Sequence, residues 1–337
     1  MINSDDLAIG IDIGGTNTAF GIVNRAGKVI QRGSIKTSNH KEVESYIDEL
    51  FLAVLPAIEY AGGISHIKGI GMGAPNGNFY KGTIEHAPNL EWRGVIPMAQ
   101  MMKDKFSLDV VLTNDANAAA IGEMTYGAAK NMQDFIMITL GTGVGSGIVA
   151  NGQLIYGHDG FAGELGHNVI IPDGRFHPGT GLYGSLEMYA SASGLTRTAI
   201  EFLENRPNEQ SLMQAYPIEE ISSKIVYECA MKGDPMSKEV YSYTGKILGM
   251  ALANFAMFTS PEAIILFGGL VKAGDMLLQP TKDSFEHNIL PLFRNKIKII
   301  ESELFEADAA ILGASALVWD KERSNAITSV PLIPQQF

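Results

Sequence analysis

Cysteine is nearly absent from this sequence, since Cys229 is the only one in 337 residues. A single thiol excludes an internal disulfide and a metal site built from several thiolates. Such a composition fits a reducing compartment, so we expect a cytoplasmic protein. The chain also lacks an apolar run of the ~18–20 residues that a membrane helix needs. Its first residues show no basic segment followed by a long apolar one, so we expect no signal peptide and no membrane partner.

Positive charge is scarce as well, with 25 Lys and Arg residues against 37 Asp and Glu residues. The net charge of −12 disfavours binding to a polyanion, so nucleic acid is not an expected partner. Two common nucleotide-binding motifs are missing too. No G-x-x-x-x-G-K-[ST] sequence occurs, and the glycines of "GTGVGSG" lead into a strand, whereas those of a dinucleotide fingerprint lead into a helix.

What the sequence does contain is a strand–turn–strand pattern that occurs twice. "IDIGGTNTAFGIVNRAGKVI" begins at Ile11, and "ITLGTGVGSGIVANGQLI" begins at Ile138. In both, an apolar strand reaches Gly-Thr, four residues follow, and Gly-Ile-Val continues into the next strand. Glycine weakens strands, but it permits sharp turns and close approach to a ligand. The repeat predicts two halves of similar topology on either side of a central cleft.

The two glycine turns are candidate phosphate sites. A turn of Gly and Thr exposes several backbone N–H groups together, and such a nest binds anionic oxygens. Asp12 precedes the first turn, where a carboxylate suits a Mg²⁺ held through water rather than the phosphate itself. We therefore expect a nucleotide with Mg²⁺. Its candidate contacts are Gly14, Gly15, Thr16 and Asn17 in the first turn and Gly141, Thr142 and Gly143 in the second.

Strands and helices alternate along the chain, which is typical of an α/β protein. Residues 7–34 are predicted to form three strands, and residues 41–62 have helical periodicity. Another helix is predicted at 185–204. The length and the hydrophobic share of 46% suit about two domains. We place the first domain at 1–113 together with the C-terminal helix 307–325, and the second at 114–306.

Polar residues in predicted loops are candidate substrate contacts. "TNDANAAAIGE" places Asn114 and Asp115 between a strand and an Ala-rich helix, where an aspartate is most often a helix cap. "GELGH" adds Glu164 and His167, and "SLE" adds Glu187. Each alone is weak evidence, whereas one amide, three carboxylates and one imidazole together suit the vicinal hydroxyls of a sugar. Beside a nucleotide, a carboxylate near a substrate hydroxyl indicates phosphoryl transfer.

These motifs, in this order, resemble those of the ROK family of sugar kinases and repressors, which has the actin/hexokinase-like ATPase fold. "DIGGTN" and "LGTGVGSGIV" are similar to the two phosphate turns, and "NDANAAAIGE" to the segment with the catalytic aspartate. "GELGHNVI" resembles the E-x-G-H signature, "GSLEMYAS" the segment after it, and "PEAIILFGGL" the adenosine segment. The resemblance extends over residues 7 to 320 and implies two similar ribonuclease H-like domains.

The resemblance implies a role for each matching residue. Asp115 would take the proton from the 6-hydroxyl of a hexose while ATP donates its γ-phosphoryl group. In "GMGAPN", Asn76 stands where the family has a glycine in a sugar-facing turn. The other implied contacts are with the sugar, through Asn89, Asn114, Glu164, His167 and Glu187, and with the adenosine, through Gly268 and Gly269.

One segment departs from the family pattern. Many relatives hold a structural zinc with the E-x-G-H histidine and three cysteines, but the corresponding run here is "HPGTGLYGS". Counting back from Glu187 places Pro178, Thr180 and Ser185 at the cysteine positions, and counting forward from the signature histidine places His177 at the first. Neither count provides a thiolate, so we predict no zinc and interpret His177 as a loop residue.

The leading interpretation is an ATP-dependent glucokinase of carbohydrate metabolism, as in glycolysis, because glucose is the family's commonest substrate. Kinases of N-acetylglucosamine, N-acetylmannosamine or fructose are alternatives. A sugar-responsive repressor is another class, but the first phosphate turn begins near residue 12 and leaves no room for a preceding DNA-binding segment. A catalytically inactive sensor is the last alternative, and the intact Asp12 and Asp115 argue against it. The family is usually dimeric, so we expect a homodimer.

Overall fold

The computed structural model describes residues 6–304 and 306–328. The chain forms two compact units. Unit 1 comprises Met1–Asn131, Tyr156–Ala162 and Glu303–Phe337, and unit 2 comprises Met132–Ile155 and Gly163–Ser302. Within the described residues, no helix is both long enough and apolar enough to cross a membrane.

Strands and helices alternate in the structure, which confirms the predicted α/β class. In chain order they are β1 (Leu7–Ile13), β2 (Thr18–Asn24), β3 (Val29–Ile35), α1 (Val43–Tyr60), β4 (Ile67–Ala74), β5 (Gly77–Asn78), β6 (Thr83–Glu85), β7 (Val95–Ile96), α2 (Met98–Phe106), β8 (Val110–Asn114), α3 (Asp115–Tyr126), β9 (Phe135–Leu140), β10 (Val144–Ala150), β11 (Gln153–Leu154), α4 (Glu187–Ala190), α5 (Ala192–Asn205), α6 (Ser223–Met231), α7 (Pro235–Thr259), β12 (Ala263–Phe267), α8 (Asp275–Asn288), β13 (Lys298–Glu301) and α9 (Glu306–Thr328).

Unit 1 is built on a mixed sheet with strand order β3-β2-β1-β4-β8. The first three strands are antiparallel neighbours, whereas β1, β4 and β8 are parallel. Ile9 and Ile11 of β1 are fully buried in the core. On the other face, a Cβ atom added to Gly10 or Gly71 would overlap the backbone of α9. These glycines therefore let α9 lie directly against the middle of the sheet.

Unit 2 repeats this topology, with strand order β11-β10-β9-β12-β13. Again the first three strands are antiparallel neighbours, and β9, β12 and β13 are parallel to one another. The sheet confirms the duplication that the two glycine turns predict. The helix predicted at 185–204 is interrupted at Ser191, which is extended (φ −85°, ψ 170°) and whose side chain caps α5 by accepting from the Gly194 N–H.

The boundary between the units differs from the one placed at residue 113. Helix α3 belongs to unit 1, because it packs along α9. A Cβ atom on Gly122 of α3 would come within 2.8 Å of the Gly313 Cα in α9, so the two helix backbones are in close contact. The division at 113/114 separates β8 from the helix that follows it, whereas the packing keeps them together.

Candidate active site

The first glycine turn, Gly14–Asn17, joins β1 to β2 as the sequence predicts. The strands pair up to Ile13 and Thr18, and the turn is closed by a hydrogen bond from the Gly14 N–H to the Asn17 carbonyl (3.0 Å). A side chain at Gly15 would collide with the backbone of Asn89, so the "PNLEW" segment lies against this turn. Thr16 and Asn17 are exposed. The turn is thus accessible and has the open backbone that a phosphate site requires.

Two carboxylates lie at the carboxyl edge of the parallel strands in unit 1. Asp12 is on β1, and Asp115 begins α3 directly after β8. Between these strands runs β4, where Gly73 is paired with Asp12 on one side. A Cβ atom on Gly73 would lie 3.4 Å from the Asp115 Cα and 3.6 Å from an Asp12 carboxylate oxygen. Gly73 therefore leaves space beside both acidic side chains, and the sequence interpretation did not single it out.

The protein environment raises the pKa of both carboxyl groups. Burial raises the pKa of Asp12 to about 7, with a further contribution from the negative charge of Asp115. Burial also raises the pKa of Asp115, and the hydrogen bond that its carboxylate accepts from the Ala116 N–H opposes this rise. As a whole residue, Asp115 is nevertheless exposed. A partly desolvated carboxylate that a substrate can reach is suited to accept a proton.

Asn114 is the N-cap of α3. Its side-chain oxygen accepts a hydrogen bond from the Ala116 N–H at 2.8 Å, and the same N–H lies 2.8 Å from Asp115 Oδ1. The capping role that the sequence favoured for Asp115 is therefore shared with Asn114. The amide nitrogen of Asn114 takes no part in this cap, because the side-chain oxygen alone accepts the hydrogen bond.

Asn76 adopts the left-handed backbone conformation, with φ +50°. Asparagine tolerates this region better than other residues with a side chain, so it can replace the family's glycine without disrupting the turn. Its side-chain nitrogen donates to the Glu85 carbonyl at 3.0 Å, and its own carbonyl accepts from the Glu85 N–H. The side chain is thus engaged within the turn.

In unit 2, the second glycine turn, Gly141–Gly143, joins β9 to β10. The Gly141 N–H donates to the Gly143 carbonyl at 3.0 Å, and Gly141 and Thr142 are exposed. Gly268 follows β12 with φ +111°, and a side chain there would overlap the backbone of Leu140. A Cβ atom on Gly269 would meet no atom within 4 Å. The "FGG" segment thus lies at the end of β9, beside the glycine turn, with open space next to it.

Glu187 contacts the second glycine turn directly. Its Oε2 atom accepts a hydrogen bond from the Val144 N–H at 2.7 Å, and a side chain at Gly143 would overlap this carboxylate. The other oxygen, Oε1, lies 2.6 Å from Nε2 of His177. His177 lies in a loop, as the sequence interpretation has it, and the structure adds its contact with Glu187. No periodicity in the "HPGTGLYGS" run signals this contact.

His167 is close to the same group. Its ring is nearly perpendicular to that of His177, with centroids 5.7 Å apart, and its Nε2 atom lies 3.6 Å from a carboxylate oxygen of Glu164. Among the described residues, the buried Nδ1 atom of His167 has no hydrogen-bond partner. The structure therefore brings together Glu164, His167 and Glu187, three of the residues predicted to hold a sugar.

Three of these side chains form a possible metal-binding group. His167, His177 and Glu187 each offer one ligand atom, and these atoms lie within 4.8 Å of one another. Two imidazoles and one carboxylate suit zinc and similar ions. The sequence interpretation searched for thiolates and did not consider this set. The predicted absence of zinc stays a prediction, and the His177–Glu187 contact at 2.6 Å is that of a direct hydrogen bond.

The segment that holds His177 is anchored by a buried arginine. Arg175 is only 8% exposed, and its guanidinium donates to the Met188 and Gly194 carbonyls, to the Thr198 hydroxyl and to the Glu201 carboxylate. Such a bidentate, charge-assisted arrangement is geometrically specific. It fixes the loop two residues before His177.

The chain matches the model of the ROK family over residues 8–321. The chain belongs to the ROK family. A glucokinase of Halalkalibacterium halodurans is 35% identical over 323 residues, which are 95% of this chain and 97% of the relative. A xylose repressor of Caldicellulosiruptor bescii is 29% identical, over 92% of this chain and 77% of the repressor. The family therefore includes relatives of both classes.

A solved ROK structure has the same fold. The ROK family glucokinase of Streptomyces griseus, in complex with glucose and AMPPNP, is 33% identical, with a TM-score of 0.77. The alignment covers 93% of this chain and 99% of that structure. The actin-like ATPase fold that the motifs implied is thereby confirmed, and the structure of that ROK member holds a sugar together with an ATP analogue.

Proposed function

We propose that this ROK protein is an ATP-dependent hexose kinase that transfers the γ-phosphoryl group to the 6-hydroxyl of glucose. The main support is the carboxylate pair of Asp12 and Asp115 at one edge of the unit 1 sheet, with the first glycine turn beginning two residues after Asp12. A repressor needs to bind a sugar but has no use for a base beside a phosphate turn. The glucokinase relatives favour glucose among the hexoses.

In this proposal Asp115 is the general base. Its carboxylate accepts the proton of the 6-hydroxyl as the hydroxyl oxygen forms a bond to the γ-phosphorus, and the bond from that phosphorus to the β,γ-bridging oxygen breaks. The products are glucose 6-phosphate and ADP. Little covalent help is needed for this reaction, so positioning and charge neutralisation do most of the work. The raised pKa of Asp115 makes it a stronger proton acceptor once it is ionised.

Other residues would bind and orient the two substrates. Backbone N–H groups of the two glycine turns would hold the phosphates of ATP, and Asp12 would hold Mg²⁺ through water. A bound Mg²⁺ neutralises charge that develops on the phosphoryl oxygens. The proposed sugar contacts are Asn76, Asn89, Asn114, Glu164, His167 and Glu187, and the proposed adenosine contacts are Gly268 and Gly269. For Asn76 we propose a contact through the backbone, because its side chain is bonded to Glu85.

The test is a coupled assay of ADP release with ATP and Mg²⁺ across glucose, N-acetylglucosamine, N-acetylmannosamine, mannose and fructose. We expect glucose to give the highest kcat/KM. A clear preference for an N-acetyl sugar or for fructose would replace glucose and keep the kinase. Sugar binding without turnover of any sugar would contradict the kinase and favour a sensor or repressor. We further propose that the protein is cytoplasmic. We also propose that it is a homodimer, which sedimentation of the purified protein would test.

A further inference from the structure

The hydrogen bonds of His177 define the protonation of its ring. The Thr180 N–H, which also donates to the His177 carbonyl at 3.3 Å, points at Nδ1 from 3.1 Å, so Nδ1 is placed to accept a hydrogen bond and not to donate one. The proton of the neutral ring is then on Nε2, which lies 2.6 Å from Oε1 of Glu187. The imidazole thus donates to the carboxylate. The backbone of the loop selects the tautomer that this contact requires.

Each oxygen of Glu187 is held by its own hydrogen-bond donor. Nε2 of His177 donates to Oε1, and the Val144 N–H donates to Oε2 at 2.7 Å. A glutamate side chain has three rotatable bonds, and fixing it costs rotamer entropy. Two short bonds to a carboxylate remove that freedom before any ligand arrives. The remaining lone pairs of the two oxygens are then directed to fixed positions, as the recognition of sugar hydroxyls requires.

The position of His177 is fixed by its own turn. Its N–H donates to the Leu182 carbonyl at 2.8 Å, and its carbonyl accepts from the Gly181 N–H at 2.9 Å. Arg175, two residues earlier, is buried with its guanidinium bonded to several acceptors. The imidazole is therefore presented by a rigid segment, although the segment lies outside the described helices and strands.

We propose that His177 is a positioning residue for the sugar site: it donates a hydrogen bond that orients the Glu187 carboxylate, without itself contacting the sugar. This inference rests on the proposed function, in which Glu187 binds a hexose. This role of His177 requires neither a thiolate nor a metal. The loop that holds it corresponds to the one in which zinc-binding relatives have cysteines. Loss of a hydrogen bond to a charged group predicts a change of about 10-fold to 100-fold in sugar affinity.

The test compares two substitutions at this position. In His177→Gln, the amide nitrogen keeps a donor near the position of Nε2, whereas His177→Leu removes it at similar size. We expect the sugar KM to rise at least about 10-fold in His177→Leu and to recover largely in His177→Gln, with the ATP KM unchanged. The control is Leu292→Ala, since this exposed side chain lies outside the loop that holds His177 and should not alter the kinetics.

A double-mutant cycle separates positioning from a structural role. If His177 acts only through Glu187, adding His177→Leu to Glu187→Gln should cause no further rise of the sugar KM. Additive losses would overturn the proposal. So would equal losses in both His177 variants together with a lower melting temperature, because the ring would then serve the fold. Stoichiometric zinc in the wild type, lost in His177→Leu and required for activity, would assign the ring to a metal instead.

The proposed function and the positioning role fail in different ways. Absence of turnover with every sugar in the wild type would contradict the kinase alone. In that case the ¹⁵N resonances of the His177 ring still report the hydrogen bond. We expect a proton on Nε2 and none on Nδ1, and a shifted Nε2 resonance in Glu187→Gln. A proton on Nδ1, or resonances unaffected by Glu187→Gln, would overturn the positioning role whatever the enzyme's substrate.

Discussion

Asp12 should make the folded protein less stable as the pH rises, which is the reverse of the usual behaviour of an aspartate. Its pKa is raised from 3.8 to about 7, so the folded state binds a proton more tightly than the unfolded state does. The stability that this proton provides is present at low pH and is lost as the pH rises through the folded-state pKa. The affected window extends from about pH 4 to about pH 8.

The size of the effect follows from the shift. Each unit of pKa difference corresponds to about 1.4 kcal/mol, so the full shift corresponds to about 4 kcal/mol. Between pH 5 and pH 7 the wild type should lose about 2 kcal/mol of unfolding free energy relative to Asp12→Asn. The amide has nearly the same shape and cannot ionise, so the difference between the two proteins reports the ionisation of Asp12 together with its charge coupling to Asp115.

The assay is urea unfolding in magnesium-free buffer at several pH values. The exposed Asp109 provides the control, because Lys103 lowers its pKa and it is ionised in both states over this window. The unfolding free energy of Asp109→Asn should therefore change with pH in parallel with that of the wild type. Mg²⁺ with ATP should flatten the wild-type slope, since a metal favours the ionised carboxylate. If the unfolding free energies of the wild type and Asp12→Asn change in parallel from pH 5 to pH 7, burial does not raise the pKa of Asp12 and the reasoning is refuted.

Four further outcomes are expected. Asp115→Asn should lower kcat by about 10²–10⁴-fold in the coupled assay while calorimetry shows sugar binding largely intact; near-normal turnover would remove it as the base. Glu187→Gln should chiefly raise the sugar KM, by about 10-fold to 100-fold and at least as much as His177→Leu does, and an unchanged KM would exclude it from the sugar contacts. Gly73→Ala should fold, because the new methyl group meets only ordinary contacts, yet lose activity by filling the space beside the carboxylates; Gly71→Ala, which overlaps α9, should lower the melting temperature. Metal analysis should find less than one zinc per chain.

Much of the fold is readable from the sequence because the pattern is local. The Gly-Thr turns and their flanking apolar runs predict two hairpins, and each becomes part of a sheet with the same strand order. Asp115 is predicted to lie between a strand and a helix, and it begins α3 directly after β8. Strand ends and caps depend on a few neighbouring residues, so they can be recognised without knowledge of the distant packing.

What the sequence did not reveal depends on long-range contacts. The unit boundary is a case, because the partner of α3 is α9, and the close approach of Gly122 and Gly313 joins residues far apart in the chain. The His177–Glu187 bond is another, since a loop without periodicity brings the ring there. Gly73 could have been noticed, because a glycine late in a buried strand often marks a close approach.

The packing of α9 on Gly10 and Gly71 has a consequence for the order in which the protein is made. Unit 2 is complete once Ser302 has emerged from the ribosome, whereas unit 1, whose strands precede those of unit 2 in the chain, still lacks the helix that covers one face of its sheet. On that face, Gly10 and Gly71 carry no side chain, so the sheet backbone is accessible until α9 packs on it. One face of the unit 1 sheet therefore stays uncovered until α9 has been synthesised. Exposure to chaperones or proteases during synthesis should be greatest at this face.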